Sequence, residues 1–219
     1  MTDTATYTYY DCTTGGPCGQ IHTLTNGLNQ VTTYNSYDAH GYPTQVTDAN
    51  GTVTTLAYDQ RQRPTTITVD SQTTMMTYEP NGNVQRVTLA DGTYTEYVRD
   101  NANRLVALFD GQGNRIDWTL DDAGNRTDEQ IKDPNGQIRK SLQTQYDELS
   151  RVRGMIYAHG GSSAYTYDSN GNQIQHTDAS NRVSSTEYDA LDRVIKDIDA
   201  IAGETAYTYD DRDNLTTEH

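Results

Sequence analysis

The stretch YDSNG at 167–171 has close kin along the chain, at YDAHG (37–41), YEPNG (78–82) and YDDRD (209–213). Aligned on the acid after the tyrosine, the series runs Asp38, Asp59, Glu79, Asp100, Asp121, Asp147, Asp168, Asp189 and Asp210. The gaps are 21, 20, 21, 21, 26, 21, 21 and 21 residues. A period held this closely over nine units is the signature of a repeat architecture. The shared pattern is Tyr-Asp-x-x-Gly-(Arg/Asn)-(Leu/Val). Its tyrosine slot holds Tyr37, Tyr58, Tyr78, Tyr146, Tyr167, Tyr188 and Tyr209, with Arg99 and Leu120 as departures. Three residues beyond the acid stand Gly41, Gln62, Gly82, Asn103, Gly124, Ser150, Gly171, Asp192 and Asp213. Most of these types tolerate positive φ or favour turns.

An aspartate opening such a tetrad can accept a hydrogen bond from the backbone two residues on. Asp-x-x-Gly therefore predicts a type I turn followed by a left-handed residue, a common hairpin connection. A second set of turn sequences falls half a period later: DANG (48–51), ADG (90–92), DGQG (110–113), DPNG (133–136) and AHGG (158–161). Two turns per period leave strands of about six or seven residues. TVTTLAY (52–58) and YTEYVR (94–99) suit that role. Tyr165 and Tyr167 share a strand face, as do Tyr207 and Tyr209, because strand side chains alternate. Successive units are then expected to stack tyrosine beside tyrosine, each cross-strand contact contributing about 0.2–1 kcal/mol. The expected fold is all-β: an antiparallel meander of hairpins forming a curved ribbon.

Composition supports order over disorder. Leu, Ile, Val and Phe make up only roughly 15 per cent of the 219 residues, and the formal charge is −15. Taken alone, those values describe a disordered chain. Against them stand 17 Tyr to one Phe and abundant Thr, residues that fit a pleated, half-buried surface. The acidic balance and 16 scattered Lys and Arg exclude nucleic acid as a partner. No apolar run reaches the length of a membrane span. The start, MTDTATYTYYD, has neither the basic nor the apolar region of a secretory signal.

Residues 1–219 read as one array of about ten units of ~21 residues, with longer units near 11–37 and 121–146. The latter holds DEQIKDPNGQIRKSLQTQ, a lengthened hairpin. No linker or charge block marks a boundary. YDSNGNQIQHTDASNRVSSTEYDALDRV (167–194) resembles the YD repeat of the Rhs family, shared by Rhs proteins, insecticidal toxin complexes, wall-associated bacterial proteins and teneurins. The opening DCTTGGPCGQI is similar to segments at the start of such arrays. The resemblance implies a β-ribbon spiralling into a hollow shell, which in Rhs proteins and toxin complexes encloses a C-terminal toxic polypeptide. The family's C-terminal core segment has no counterpart in this sequence. The chain stops at NLTTEH without a capping unit, so it is expected to be a piece of a larger exported polypeptide, secreted or at the cell surface. Its partners would be the rest of that polypeptide and an enclosed toxin or effector, with self-association through open sheet edges.

Residues able to carry chemistry are few. The turn aspartates match neither the EF-hand loop nor the nonapeptide calcium repeat, and turn formation alone accounts for them. Cys12 and Cys18 enclose TTGGP, which leaves a disulfide open. Zinc would need further ligands, and His22 and His40 form no motif with the cysteines. Ser162 and Ser163 in HGGSSAY lack the nucleophile-elbow setting, and no carboxylate pair stands out as a glycosidase dyad. Neither an enzyme nor a cofactor is expected. Trp118, two residues before the Leu120 slot, is the local exception among the aromatic positions. It is the candidate glycan contact of an alternative reading, a cell-surface adhesion or carbohydrate-binding module. On the main reading, Tyr37, Asp38, Gly41, Tyr58, Asp59, Tyr78, Gly82, Tyr146, Asp147, Tyr167, Asp168, Gly171, Tyr188, Asp189, Tyr209 and Asp210 are architectural.

Overall fold

The computed structural model describes residues 5–13 and 17–218. It is all-β, with twenty antiparallel strands, an open sheet and no helix among the described residues. In chain order the strands are β1 (Thr6–Tyr9), β2 (Ile21–Thr25), β3 (Val31–Tyr37), β4 (Pro43–Thr47), β5 (Val53–Tyr58), β6 (Pro64–Val69), β7 (Gln72–Tyr78), β8 (Val84–Thr88), β9 (Tyr94–Arg99) and β10 (Leu105–Asp110). There follow β11 (Arg115–Leu120), β12 (Arg126–Lys132), β13 (Ile138–Tyr146), β14 (Val152–Tyr157), β15 (Ser162–Tyr167), β16 (Gln173–Thr177), β17 (Val183–Tyr188), β18 (Val194–Ile198), β19 (Glu204–Tyr209) and β20 (Leu215–Glu218). Contacts divide the chain into two compact units, one of Met1–Val98 with Phe109–Gln112, the other of Arg99–Leu108 with Gly113–His219. Each unit is a hairpin meander in which consecutive strands pair.

Register repeats with the sequence period. Thr55 faces Thr68 and Leu56 faces Ile67 in one unit, and Thr144 faces Met155 in the other. A bulge recurs immediately before the slot tyrosine, between Ala57 and Tyr58, Thr77 and Tyr78, Gln145 and Tyr146, Thr166 and Tyr167, Glu187 and Tyr188, and Thr208 and Tyr209. The left-handed turn residue forces it, adding one residue to the ladder. All nine residues three beyond the acid have positive φ, from Gly41 at 88° and Gln62 at 65° to Asp213 at 62°. The second-set turns have the same form at Asp48–Gly51 and Asp133–Gly136, and also at Asp178–Asn181 and Asp199–Ala202. One departs: Asp70 and Ser71, with φ of 48° and 84°, form a two-residue turn closing Val69 on Gln72. The lengthened hairpin is β12–β13, its long strand being β13.

The sheet has almost no core. Among described hydrophobic residues only Ala107 and Trp118 are buried. A compact monomer of this mass exposes about 10,000 Å², whereas this chain exposes 14448 Å². Order comes from the ladders and from side chains that cover one another on a single layer. In β5 and β19 burial alternates strictly, half-buried Leu56 and Tyr58, or Tyr207 and Tyr209, facing away from exposed Val53, Thr55 and Ala57, or Ala206 and Thr208.

Candidate functional site

The repeated construction at the turns is the site that the fold defines. At Asp59 the backbone closes with Gln62 N–H donating to the Asp59 carbonyl at 3.0 Å and Asp59 N–H to the Arg63 carbonyl at 2.9 Å. The Asp59 carboxylate accepts from Arg61 N–H and Arg63 N–H through Oδ1, at 2.8 and 3.0 Å. Its Oδ2 accepts from Arg63 Nε and Nη2, at 2.8 and 2.6 Å. Donation by the Arg63 side chain and then by its backbone N–H holds the Asp59 carboxyl below the usual carboxylate range. Asp189 with Arg193, Asp147 with Arg151 and Asp100 with Arg104 repeat the arrangement. Where Asn replaces Arg, at Asn125 and Asn172, its amide takes the guanidinium's place on Asp121 and Asp168. At Glu79 the backbone turn persists, Gly82 N–H donating to its carbonyl at 2.9 Å.

The slot tyrosines do not stack on one another, contrary to the sequence expectation. The slot recurs on every second strand, so its occupants stand about 9.5 Å apart, twice the strand spacing. Each hydroxyl instead donates to a backbone carbonyl at the start of the intervening strand. Tyr37 reaches Ile21 at 2.6 Å, Tyr58 reaches Pro43 at 2.9 Å and Tyr78 reaches Pro64 at 2.6 Å. Tyr146 reaches Arg126 at 3.2 Å, Tyr167 Val152 at 2.7 Å, Tyr188 Gln173 at 3.1 Å and Tyr209 Val194 at 2.8 Å. Burial pushes the hydroxyl pKa of Tyr37, Tyr58 and Tyr78 upward.

Over several rings lies the arginine of the preceding unit: Arg63 over Tyr78 at 4.2 Å, Arg151 over Tyr167 and Arg193 over Tyr209 at 4.6 Å. Such contacts contribute about 0.5–1 kcal/mol at exposed sites and more when desolvated. Where the slot holds Leu120 there is no ring to cover, and Arg104 donates to the Asp121 carbonyl, a bond that Arg151 also makes to Asp168. One guanidinium thus closes its own turn and covers the next unit. The arginines were visible in the repeat pattern, but their reach into the following unit was not. A sequence signal existed: Gly41, Gln62, Gly82, Asn103, Gly124, Ser150, Gly171 and Asp192 alternate between glycine and other residues, and Arg follows every non-glycine. Arg63 Nη1 and Arg151 Nη1 come to rest near Gly82 and Gly171, 3.8 Å from where a Cβ would stand.

Cys12 and Cys18 are joined by a disulfide with Cα atoms 4.4 Å apart, in the connection between β1 and β2. Trp118 is 9% exposed, its Nε1 donates to Glu129 Oε2 at 2.8 Å and Arg126 lies over its ring at 4.4 Å. A ring so covered presents little face to a sugar. Ser163 is buried beneath the Tyr157 hydroxyl, 3.4 Å away. Three histidines lie against tyrosines: His22 on Tyr10, His159 on Tyr157 and His176 on Tyr165. Among the described residues no group of three His, Cys, Asp or Glu could hold a metal ion, and no helix is long and apolar enough to cross a membrane.

A single-layer ribbon of 21-residue hairpins, braced from unit to unit at its turns, defines a class of β-repeat protein. The sequence profile of the family described as RHS Repeat matches residues 19–53, 37–74, 78–115, 146–186, 167–200 and 188–219. The chain belongs to the RHS Repeat family. No curated protein matches it. Among solved structures it is similar to TcdB2-TccC3, with a TM-score of 0.68 over 97% of this chain at 13% identity. It is similar also to the Photorhabdus luminescens Tc holotoxin pore, with a TM-score of 0.65 over 91% at 14% identity. This chain spans 14% and 12% of the length of those chains. At such identities the likeness concerns the fold.

Proposed function

We propose that this chain is a wall segment of an Rhs-type shell that encloses a toxin or effector within a larger exported bacterial polypeptide. The observation that carries this reading is the single layer. Among the described residues, twenty strands bury only two hydrophobic side chains while 14448 Å² stays exposed, which suits a sheet that divides two sides without packing a core between them. Stability comes from neighbour-to-neighbour braces, which repeat along the ribbon and permit a wall of any length. The relatives in the Tc toxin structures, several times longer than this chain, support a longer parent. The role is non-catalytic: the recurring side chains of the unit, Asp, Arg and Tyr, are engaged in bonds to its own backbone and to the next unit.

The test is made on the native polypeptide, captured with an antibody to this segment and weighed before and after limited proteolysis. A mass far above 24.4 kDa, with a protected C-terminal fragment released only on denaturation, is the expected result. A native product near 24.4 kDa sinks the shell reading. The adhesion and glycan-binding alternative has no structural observation in its favour, since Trp118 is covered.

A further inference from the structure

The connection between β1 and β2 is an ordinary turn of the array with an insertion built into it. Tyr10 N–H donates to the Gln20 carbonyl at 2.9 Å and Gly19 N–H to the Tyr10 carbonyl at 3.1 Å, the same two bonds that close Asp59 on Arg63 and Gln62. Gly19 has φ of 75°, the left-handed conformation of Gln62 at 65°. Between Asp59 and Gln62 stand two residues; between Tyr10 and Gly19 stand eight, Asp11 to Cys18. Tyr10 also occupies the position of the turn carboxylate, so this turn lacks the acceptor that Asp59 offers to Arg61 and Arg63 N–H. Asp11 accepts from Thr13 N–H, inside the insertion. The disulfide supplies the closure instead. With the Cα atoms of Cys12 and Cys18 4.4 Å apart, the path from Tyr10 to Gly19 through the cross-link passes only Asp11, Cys12 and Cys18.

What this turn holds lies in the next unit. The Tyr10 hydroxyl donates to the Tyr34 carbonyl at 2.6 Å and lies 3.0 Å from the Asn35 carbonyl. Its ring lies against His22, centroids 4.5 Å apart, and meets the slot ring of Tyr37 edge-on at 6.3 Å. Asn35 is the residue that β3 adds to its ladder: Tyr34 faces Val46 and Ser36 faces Gln45, with Asn35 left between them. β5 and β7 have only the irregularity at the slot tyrosine when they pair with the strand that follows. A bulge disrupts the ladder locally, and Tyr10 supplies a donor at that point. Gln20 extends the brace, its Nε2 lying 2.6 Å from where a Cβ on Gly41 would stand.

We propose that the Cys12–Cys18 bond is a thiol-exchange site whose state is transmitted to the Asn35 bulge through Tyr10. Both cysteines are exposed, so a dithiol reductant reaches the bond. Its thiolate attacks one Sγ, the S–S bond breaks to give a mixed disulfide, and the second thiol displaces the protein sulfur. Two electrons and two protons end on Cys12 and Cys18, and the dithiol leaves as its own disulfide. Closure of Tyr10 on Gly19 must then span eight residues in place of three. By the three-halves power of that ratio, the closed turn loses at least about fourfold in population against its open form, and the hydroxyl leaves the bulge with it. Under the export proposed above, the bond forms in oxidising surroundings and is cut in a reducing compartment; this last consequence alone rests on that reading.

The unaltered chain provides the test without a substitution. Dithiothreitol is added under native conditions, free thiols are counted, and amide exchange is followed residue by residue by NMR. Two thiols are expected to appear, and the amides of Tyr34 to Tyr37 to exchange at least about fourfold faster, with β14 to β18 unchanged. Thiols that appear only in denaturant overturn the proposal. So does unchanged exchange at Tyr34 to Tyr37 in the reduced chain, or a uniform loss of protection throughout the array. Tyr10→Phe separates the route from general loosening. In that variant reduction is expected to speed exchange at Gly19 and Gln20 while leaving Tyr34 to Tyr37 at the rate of its oxidised form. A Tyr10→Phe chain whose β3 responds to reduction as the unaltered chain does removes Tyr10 as the link. Neither the size of the parent nor its cargo enters these measurements, so they fail separately from the shell reading, which is tested on the native polypeptide.

Discussion

Arg63 and Tyr78 belong to consecutive units, yet the guanidinium lies 4.2 Å from the ring centroid while it also grips Asp59 in its own turn. The same ring donates its hydroxyl to the Pro64 carbonyl, one residue beyond that arginine. Two adjacent residues, Arg63 and Pro64, thus hold one tyrosine by its face and its tip. This is how a sheet without a core keeps its strands in register.

The pair is coupled in a way that a double-mutant cycle measures. Tyr78→Phe is expected to lower stability by about 1 kcal/mol, the net worth of a hydrogen bond whose acceptor loses its partner. Arg63→Ala on its own, and combined with Tyr78→Leu, should show a coupling of about 0.5–1 kcal/mol. Urea unfolding followed by circular dichroism reads both, and strict additivity would dissolve the brace.

Backbone conformation at the turns gives substitutions of opposite sign. Gln62 has φ of 65°, a region that costs an L-residue roughly 1–2 kcal/mol, so Gln62→Gly is expected to raise the unfolding midpoint slightly. Gly82 has φ of 104° and only the end of Arg63 nearby, so Gly82→Ala is expected to lose about 1 kcal/mol from strain alone. The two midpoints, measured side by side, check the left-handed assignment.

Acid should loosen the ribbon from its turns. Asp48 is held below its ordinary range first by the backbone N–H of Thr52, Asp59 first by the Arg63 side chain and Asp189 first by the Arg193 side chain. A depressed folded-state pKa contributes stability that is present above the unfolded value, about 3.9, and is lost as pH falls through the folded one. Stability is therefore expected to hold from neutral pH down to about 5 and to fall below about 4. Asp59→Asn, which keeps the acceptor for the turn N–H groups, should flatten part of that fall. A melting-temperature series across pH 2–7 decides the matter.

The disulfide is predicted to act locally. Closing so short a loop is worth about 2 kcal/mol in the chain-entropy account, and in a repeat array such a gain is felt chiefly by adjoining strands. Cys12→Ser with Cys18→Ser should speed amide exchange in β1 and β2 while leaving β14 to β18 unchanged. Uniform loss of protection would mean that the array unfolds as one cooperative body.

Much of this fold was legible in the sequence because turns are local. Asp-x-x-Gly selects a turn and a left-handed residue by the preferences of a few adjacent backbones, and the period of these turns sets strand length, strand count and antiparallel sense. The family follows from the same residues, Tyr167 and Asp168 among them. Two-residue spacing likewise put Tyr165 and Tyr167 on one face. What those tyrosines touch was decided only by the tertiary structure. Side chains one period apart stand two strands apart, too far for contact, so the intervening strand and the preceding arginine take the place of a tyrosine ladder. The covering of Trp118 by Arg126 and Glu129 is of the same kind. Burial depends on which strand lies alongside, and that is a property of pairing between distant segments which no local pattern of residues contains.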